Sequence, residues 1–280
     1  MKLIKDLFLI RADIDSKRVT TVIGHSGGNL HLDTDFNKYH HATQVGEVVF
    51  NAQIIDSEYR NDNPIKSGDV VVFHHFVCQP DNEVKYNDEN LYKCEYYHIW
   101  AKIVNAKLEP LEDYIFVEPV LEPEEHTRTE SGLLLRTERA YLKNVGKVFA
   151  LSNQAKKSGL RLGDIVFFTN NADYDIKLLG TDLYRMQLRN IIGIERNGKL
   201  ACLTNKMLVA DITEAEVRSG LYYQKNPRVR VGIVYNIGED IKGVAIGEKV
   251  SYFNGLTSEL NYCGKKYSFL TTEDINYKFL

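Results

Sequence analysis

Apolar residues fall in short runs along almost the whole chain, and Gly, Asn, Asp or Pro bounds each run. Within the runs β-branched and aromatic residues dominate, which is typical of strands. A helix is indicated only at "TEAEVRSG", where Thr213 would cap the first turn and Gly220 would end the last. The clearest strand runs are "GDVVVFHHFV", "DYIFVEPV", "GKVFAL", "GDIVFF" and "EKVSYFNG". The pattern predicts an all-β fold.

The same landmarks recur in the same order three times, which indicates an internal repeat. Each copy opens with an apolar strand, continues with a Gly before a valine-rich strand, and then has a Gly-acid pair before another strand. It closes with a tyrosine-led strand and an apolar tail. The glycines of the valine-rich strands are Gly46, Gly146 and Gly232, and those of the Gly-acid pairs are Gly68, Gly163 and Gly247.

The landmarks have physical roles in a small β-barrel. A Gly in a valine-rich strand permits a bend or bulge where the sheet turns a corner. A Gly-acid pair suits a tight turn, because Gly supplies positive φ and the acid caps nearby amides. We therefore predict three tandem β-barrel units, at residues 1–105, 106–198 and 199–280. The stretches "AKLEP" and "RNGKLA" are interpreted as short connectors, so the units should pack as a curved rigid body.

Composition narrows the function. The formal net charge of -3 gives no electrostatic footprint for nucleic acid, and no apolar run approaches the roughly 20 residues of a membrane helix. The four cysteines are scattered without a CxxC pair, which favours reduced thiols and a cytoplasmic location. The doublets His40-His41 and His74-His75 have no other metal ligand at a suitable spacing. We expect no metal and no cofactor.

The middle unit resembles a GroES-type co-chaperonin from Leu111 to Glu195. "PLEDYIFVEPVLEPEEHTRTESGLLLRTE" is similar to that family's opening strand, mobile loop and hydrophobic tripeptide. "NVGKVFALS", "LRLGDIVFFTN" and "LYRMQLRNIIGIE" are similar to its later strands. The outer units are weaker matches, supported mainly by their likeness to the middle one. The resemblance implies three tandem GroES-like small β-barrels.

It also implies a docking segment, since the family's tripeptide binds the apical domain of a chaperonin ring. The matching residues of the middle unit are Leu133, Leu134 and Leu135. The equivalent residues of the third unit are Leu221, Tyr222 and Tyr223, and those of the first are Leu30 and Leu32. The alternative is that these residues continue a barrel strand and are buried in a core.

Two functions stay open. The first is a non-enzymatic co-chaperonin whose apolar loop tips dock onto a GroEL-type chaperonin ring to assist protein folding. The second is a structural subunit of a viral particle or another ring-like assembly, placed in the host cytoplasm or the virion. In either case the partner is a chaperonin ring or neighbouring subunits, and a homo-oligomer is expected.

Three units per chain do not tile a sevenfold ring, because closed rings need matching rotation. The glycine cluster "GHSGGN" neither follows a clear strand nor opens a helix, so a dinucleotide-dependent enzyme is not expected.

Overall fold

The computed structural model describes residues 3–12, 44–58, 62–122, 126–128, 134–136, 140–212, 229–253 and 258–279. These residues are nearly all β, as the sequence predicts, and they include a single α-helix, α1, at Asn153–Lys157. The chain divides into two compact units. One comprises 1–114 and 175–181, and the other comprises 115–174 and 182–280.

The described residues of the first part of the chain form nine strands. They are β1 (Leu3–Lys5), β2 (Leu7–Arg11), β3 (Val45–Phe50), β4 (Ala52–Ile54), β5 (Val70–Phe73), β6 (Glu83–Tyr86), β7 (Glu89–Glu95), β8 (Ile99–Val104) and β9 (Lys107–Pro110). Seven of them make an antiparallel first sheet in the order β6-β7-β2-β3-β5-β8-β9. The remaining two, β1 and β4, pair in parallel as a separate ribbon.

A second sheet of seven strands follows in the order β15-β16-β10-β13-β14-β17-β18. Between its first two strands in the chain, β11 and β12 form a two-stranded sheet of their own. The strands are β10 (Tyr114–Leu121), β11 (His126–Arg128), β12 (Leu134–Arg136), β13 (Tyr141–Leu151), β14 (Ile165–Phe168), β15 (Tyr174–Leu178), β16 (Thr181–Gln187), β17 (Ile191–Arg196) and β18 (Lys199–Ala201).

The third sheet has six antiparallel strands in the order β22-β23-β19-β20-β21-β24. The strands are β19 (Met207–Asp211), β20 (Val229–Ile237), β21 (Lys249–Phe253), β22 (Ser258–Tyr262), β23 (Lys265–Leu270) and β24 (Ile275–Lys278).

All three sheets share one strand order. Counted along the chain, the strands of each sheet lie in the order fourth, fifth, first, second, third, sixth, and the first two sheets add a seventh beside the sixth. The pairing of first and second strands also slips at equivalent places. The slips lie at Leu9/Ile10, Phe116/Val117 and Leu208/Val209, and each leaves one extra residue in the second strand. A bulge therefore follows each landmark glycine, as the valine-rich pattern predicts.

Each sheet encloses its own apolar cluster. Phe8, Phe73 and Ile99 are buried in the first, together with Cys94. The second cluster contains Ile115, Phe168 and Met186, and the third contains Met207, Val250 and Tyr252. Burial of such clusters is the main favourable term in folding.

The structure corrects three details of the sequence interpretation. The connectors are strands: β9 pairs with β8, and β18 pairs with β17, so each extends the preceding sheet. The run "GDVVVFHHFV" is a strand only to Phe73, and His75–Cys78 then form a 3₁₀ turn. The helix α1 was not predicted, although Ser152 accepts the amide of Ala155 as an N-cap and Gly159 (φ +89) ends the segment.

Candidate functional site

The predicted docking segment of the middle unit lies on a hairpin outside the second sheet. Strand β12, which carries Leu134 and Leu135, pairs antiparallel with β11, with Thr127 opposite Leu135 and Arg128 opposite Leu134. Leu121 pairs with Tyr141 at the outer end of β10 and β13. His126 lies five positions after Leu121, and its partner Arg136 lies five before Tyr141, so the ribbon keeps the register of the strands that lead to it.

This placement bears on the alternative of a core strand. Leu134 and Leu135 belong to a two-stranded sheet of their own, while the seven-stranded sheet is built from other segments. Because the ribbon keeps the register of β10 and β13, the pairing does not decide between the two interpretations, and the docking role of these residues stays a prediction. Leu133 lies outside the described residues.

The predicted segments of the outer units leave their sheets at the equivalent place. In every sheet the segment connects the first strand to the second: β2 to β3, β10 to β13, and β19 to β20. The predicted docking residues Leu30, Leu32, Leu221, Tyr222 and Tyr223 lie outside the described residues, as does the helix predicted at Thr213–Gly220.

The landmark glycine beside each segment makes the same close approach. A Cβ on Gly146 would lie 2.5 Å from Cγ2 of Val117 on the first strand, and one on Gly46 would lie 2.6 Å from Cγ2 of Ile10. A Cβ on Gly232 would likewise overlap Val209. Only a residue without a Cβ lets the two strands pack this closely at the base of the connection.

The Gly-acid turns hold the far ends of the same strands, and they are hydrogen-bonded alike in all three sheets. Gly68, Gly163 and Gly247 have φ of 90°, 82° and 90°. Each acid accepts the amide three residues before it at 2.9 Å: Asp69 from Lys66, Asp164 from Arg161, and Glu248 from Ala245. Both parts of the predicted turn are confirmed, the positive φ and the acid cap.

A basic residue of the sixth strand then pairs with each turn acid. Lys102 lies 3.5 Å from Asp69, Arg196 lies 2.6 Å from Asp164, and Lys278 lies 3.3 Å from Glu248. The hydrogen bonds that Arg196 donates to Asp164 raise the pKa of Arg196. The amide of Ala245, assisted by Lys278, lowers the pKa of Glu248. The sequence landmarks did not show this ion pair, because its partners are far apart in the chain.

A polar network supports the base of the connection in the third sheet. Asp211, the last residue of β19, accepts hydrogen bonds from the hydroxyls of Tyr252 and Ser268, and Arg230 of β20 donates to it at 3.2 Å. Burial, with the hydrogen bond to Asp211, raises the pKa of Tyr252 well above its ordinary value. Both ends of the connection are thus tied to the core of the sheet. The first sheet has a simpler arrangement, in which Arg11 makes two ion pairs, one with Glu47 and one with Glu89.

Among the described residues no group of three or more His, Cys, Asp and Glu side chains is placed to hold a metal ion. His74 and His75 stack on each other, with ring centroids 4.3 Å apart. No helix in the described part of the chain is long and apolar enough to cross a membrane.

Residues 107–195, about a third of the chain, match the family described as Chaperonin 10 Kd subunit (Cpn10). The segment includes β10 to β17 and the β11–β12 hairpin, so the GroES-type resemblance of the middle unit is confirmed. Members of this family are non-enzymatic co-chaperonins, which form oligomers and partner with chaperonin rings. No curated protein matches the chain.

Proposed function

We propose that this chain is a non-enzymatic co-chaperonin that docks apolar hairpin segments onto a chaperonin ring and thereby assists protein folding. The proposed setting is the cytoplasm, and the proposed docking residues are Leu133 to Leu135, with the equivalent segments of the other two units. The observation that carries the proposal is the β11–β12 hairpin. It lies inside the segment that matches the co-chaperonin family, and it is paired separately from the barrel-forming sheet.

The physical chemistry of such a contact suits a lid that binds and leaves. An apolar segment that becomes ordered on docking loses conformational entropy, which offsets part of the gain from burying its side chains. Each contact then stays weak and reversible. Several weak contacts on one protein sum to a useful avidity when their geometry allows simultaneous binding. Three connections that leave equivalent positions of three like sheets offer such a set.

The test compares two leucine-to-serine variants of the same sheet. Leu134→Ser lies on the hairpin, and Leu162→Ser lies beside Gly163, where Leu162 is 65% exposed. Binding to a purified GroEL-type ring is measured by pull-down and native mass spectrometry, and stability by thermal unfolding. We expect Leu134→Ser to abolish binding and Leu162→Ser to preserve it. Neither should change the free energy of unfolding by more than about 0.5 kcal/mol.

A buried role for Leu134 gives the opposite pattern. Loss of isobutyl packing and burial of a hydroxyl would cost about 2–5 kcal/mol, and binding to the ring would survive in the fraction that stays folded. That result would remove the docking role of this residue.

The second candidate, a structural subunit of a ring-like or viral assembly, is favoured by one observation. The second and third sheets pack against each other through an apolar cluster, so a sheet of this type can bury one of its faces in a permanent contact. Native mass spectrometry separates the two candidates. A complex that contains a chaperonin ring supports the first, and a stable assembly of this chain with no affinity for the ring supports the second.

A further inference from the structure

The second and third sheets meet in a joint made of apolar residues from both. Phe167, Ile192 and Leu200 of the second sheet are buried against Leu208, Tyr267 and Phe269 of the third. The Phe269 ring rests on Gly193, where a Cβ would overlap it. At the edge, the Tyr262 hydroxyl donates to the carbonyl of Gly198 at 3.4 Å, and burial raises its pKa to about 12. The second sheet thus supplies an apolar surface with a recess at Gly193, which we call the acceptor surface. The third sheet supplies the Phe269 ring that fills this recess, which we call the knob.

The shared register shows what stands at the acceptor positions of the third sheet. Phe167 is paired across to Val145 and Gly193 in the second sheet, and Ser251 is paired across to Val231 and Tyr277 in the third. Ser251 therefore holds in the third sheet the position that Phe167 holds in the second, and Tyr277 holds the position of Gly193.

Two more acceptor positions are changed. By the same register Lys249 replaces Ile165, and Asn276 replaces Ile192. In the second sheet Leu200 of β18 completes the acceptor surface. The acceptor surface is therefore not repeated.

These replacements remove the recess that the knob needs. A tyrosine side chain occupies the place where Gly193 leaves room for a ring, and it packs on Phe279 with ring centroids 5.2 Å apart. The Lys249 ammonium lies 4.9 Å from the Phe279 ring, so covering it would require desolvation of a charge. The face that accepts a neighbouring sheet in the second sheet is, in the third sheet, covered by the sheet's own side chains.

The knob is also absent from the first sheet. Leu9 pairs with Lys93, whereas the equivalent Leu208 pairs with Phe269. Arg11 stands where the third sheet has Ala210, and it makes ion pairs with Glu47 and Glu89. A lysine and an ion-paired arginine therefore face outward where the third sheet presents an aromatic ring and a small apolar residue.

We infer that a second copy of this chain does not dock its first sheet on the outer face of β20, β21 and β24 in the way that the third sheet docks on the second. The inference does not depend on the proposed function, because it concerns contacts between copies and not contacts with a ring.

The test measures whether the two outer faces are covered in the native assembly of the full chain. Tyr277→Cys and Lys93→Cys are made separately and together in a Cys263→Ser background, which removes the exposed native thiol. Maleimide labelling under native conditions is read out by peptide mass spectrometry. Cys94, which is buried, serves as the unlabelled control, and Cys263 of the unmodified chain serves as the exposed standard.

We expect both introduced thiols to react at a rate comparable to that of Cys263. We also expect the double variant, after oxidation, to give no more intermolecular disulfide than the single variants, and Tyr277→Glu to leave the number of copies in native mass spectrometry unchanged. Protection of Tyr277→Cys by about tenfold or more relative to Cys263, a disulfide ladder specific to the double variant, or a loss of copies in Tyr277→Glu would each overturn the inference.

Discussion

The Gly-acid turns and the outer faces of the sheets differ in how far they are repeated. All three turns have the same positive φ, the same acid-to-amide hydrogen bond and the same kind of ion pair to the sixth strand. The acceptor surface of the second sheet carries Phe, Ile and Gly, whereas the third sheet has Ser, Asn and Tyr at the same register positions. The turn that joins the second strand to the third is therefore the same in all three sheets, whereas the residues on the face of each sheet differ with what that face contacts.

The largest loss of stability is expected at Phe269, in the joint between the second and third sheets. Phe269→Ala removes a ring that is 4% exposed at the joint between the second and third sheets. Truncation of a buried phenylalanine costs about 3–5 kcal/mol. Lys93→Ala is the matched control, because Lys93 holds the same register position in the first sheet and is exposed. Its free energy of unfolding should change by less than about 0.5 kcal/mol. Equal effects in chemical denaturation would show that the joint is not specific to this pair of sheets.

The next effect concerns the best-packed turn. The Asp164 side chain has 4% of its surface exposed and accepts two hydrogen bonds from Arg196, at 2.8 and 2.6 Å. Asp164→Asn keeps an acceptor for the amide of Arg161 but leaves the guanidinium without its counter-ion. We expect a loss of about 2–3 kcal/mol, at the lower end for a broken buried pair, because Arg196 is partly exposed. Asp69→Asn in the first sheet is the control, since its contact with Lys102 is longer, and it should cost less. The reverse order in urea unfolding would contradict the prediction.

A smaller loss of stability is expected from a change that affects only the backbone conformation of the same turn. Gly163 has φ +82° and no atom within 4 Å of the position of an added Cβ. Gly163→Ala should therefore cost only the strain of a left-handed residue, about 1–2 kcal/mol. Gly163→Asn should recover part of that loss, because Asn tolerates this region better. If Asn were no better than Ala in thermal unfolding, contacts and not φ would explain the conservation of glycine across the three turns.

The smallest effect is expected at Glu248, whose turn is the most exposed of the three. Its pKa is lowered in the folded protein, first by the amide of Ala245 and then by Lys278. A lowered carboxyl pKa stabilises the fold above the ordinary glutamate pKa, and this contribution is lost as the pH falls through the folded value. The melting temperature of the protein should therefore exceed that of Glu248→Gln at neutral pH by a small margin that vanishes in acid. A margin that persists below pH of about 3 would contradict this account.

The sequence by itself determined the all-β class, the order of the landmarks, the bulge after each valine-rich glycine and the chemistry of the turns. These features are local: a positive φ, a cap or a β-branched run depends on residues only a few positions apart, so the pattern contains them. It also placed the GroES-type segment in the middle of the chain and the leucines of the proposed docking segment between the first and second strands of that sheet.

Tertiary structure alone decided the rest. The pairing of β9 and β18 with preceding sheets, the ion pairs from the sixth strands to the turns, and the seat of Phe269 on Gly193 all join residues far apart in sequence. The string "IIGIE" gives no sign that its glycine receives a ring, because that glycine is selected by the side chain of another sheet. Whether an apolar residue enters a core, a joint or a separate hairpin depends on which surface lies opposite it, and only the folded chain brings the two surfaces together.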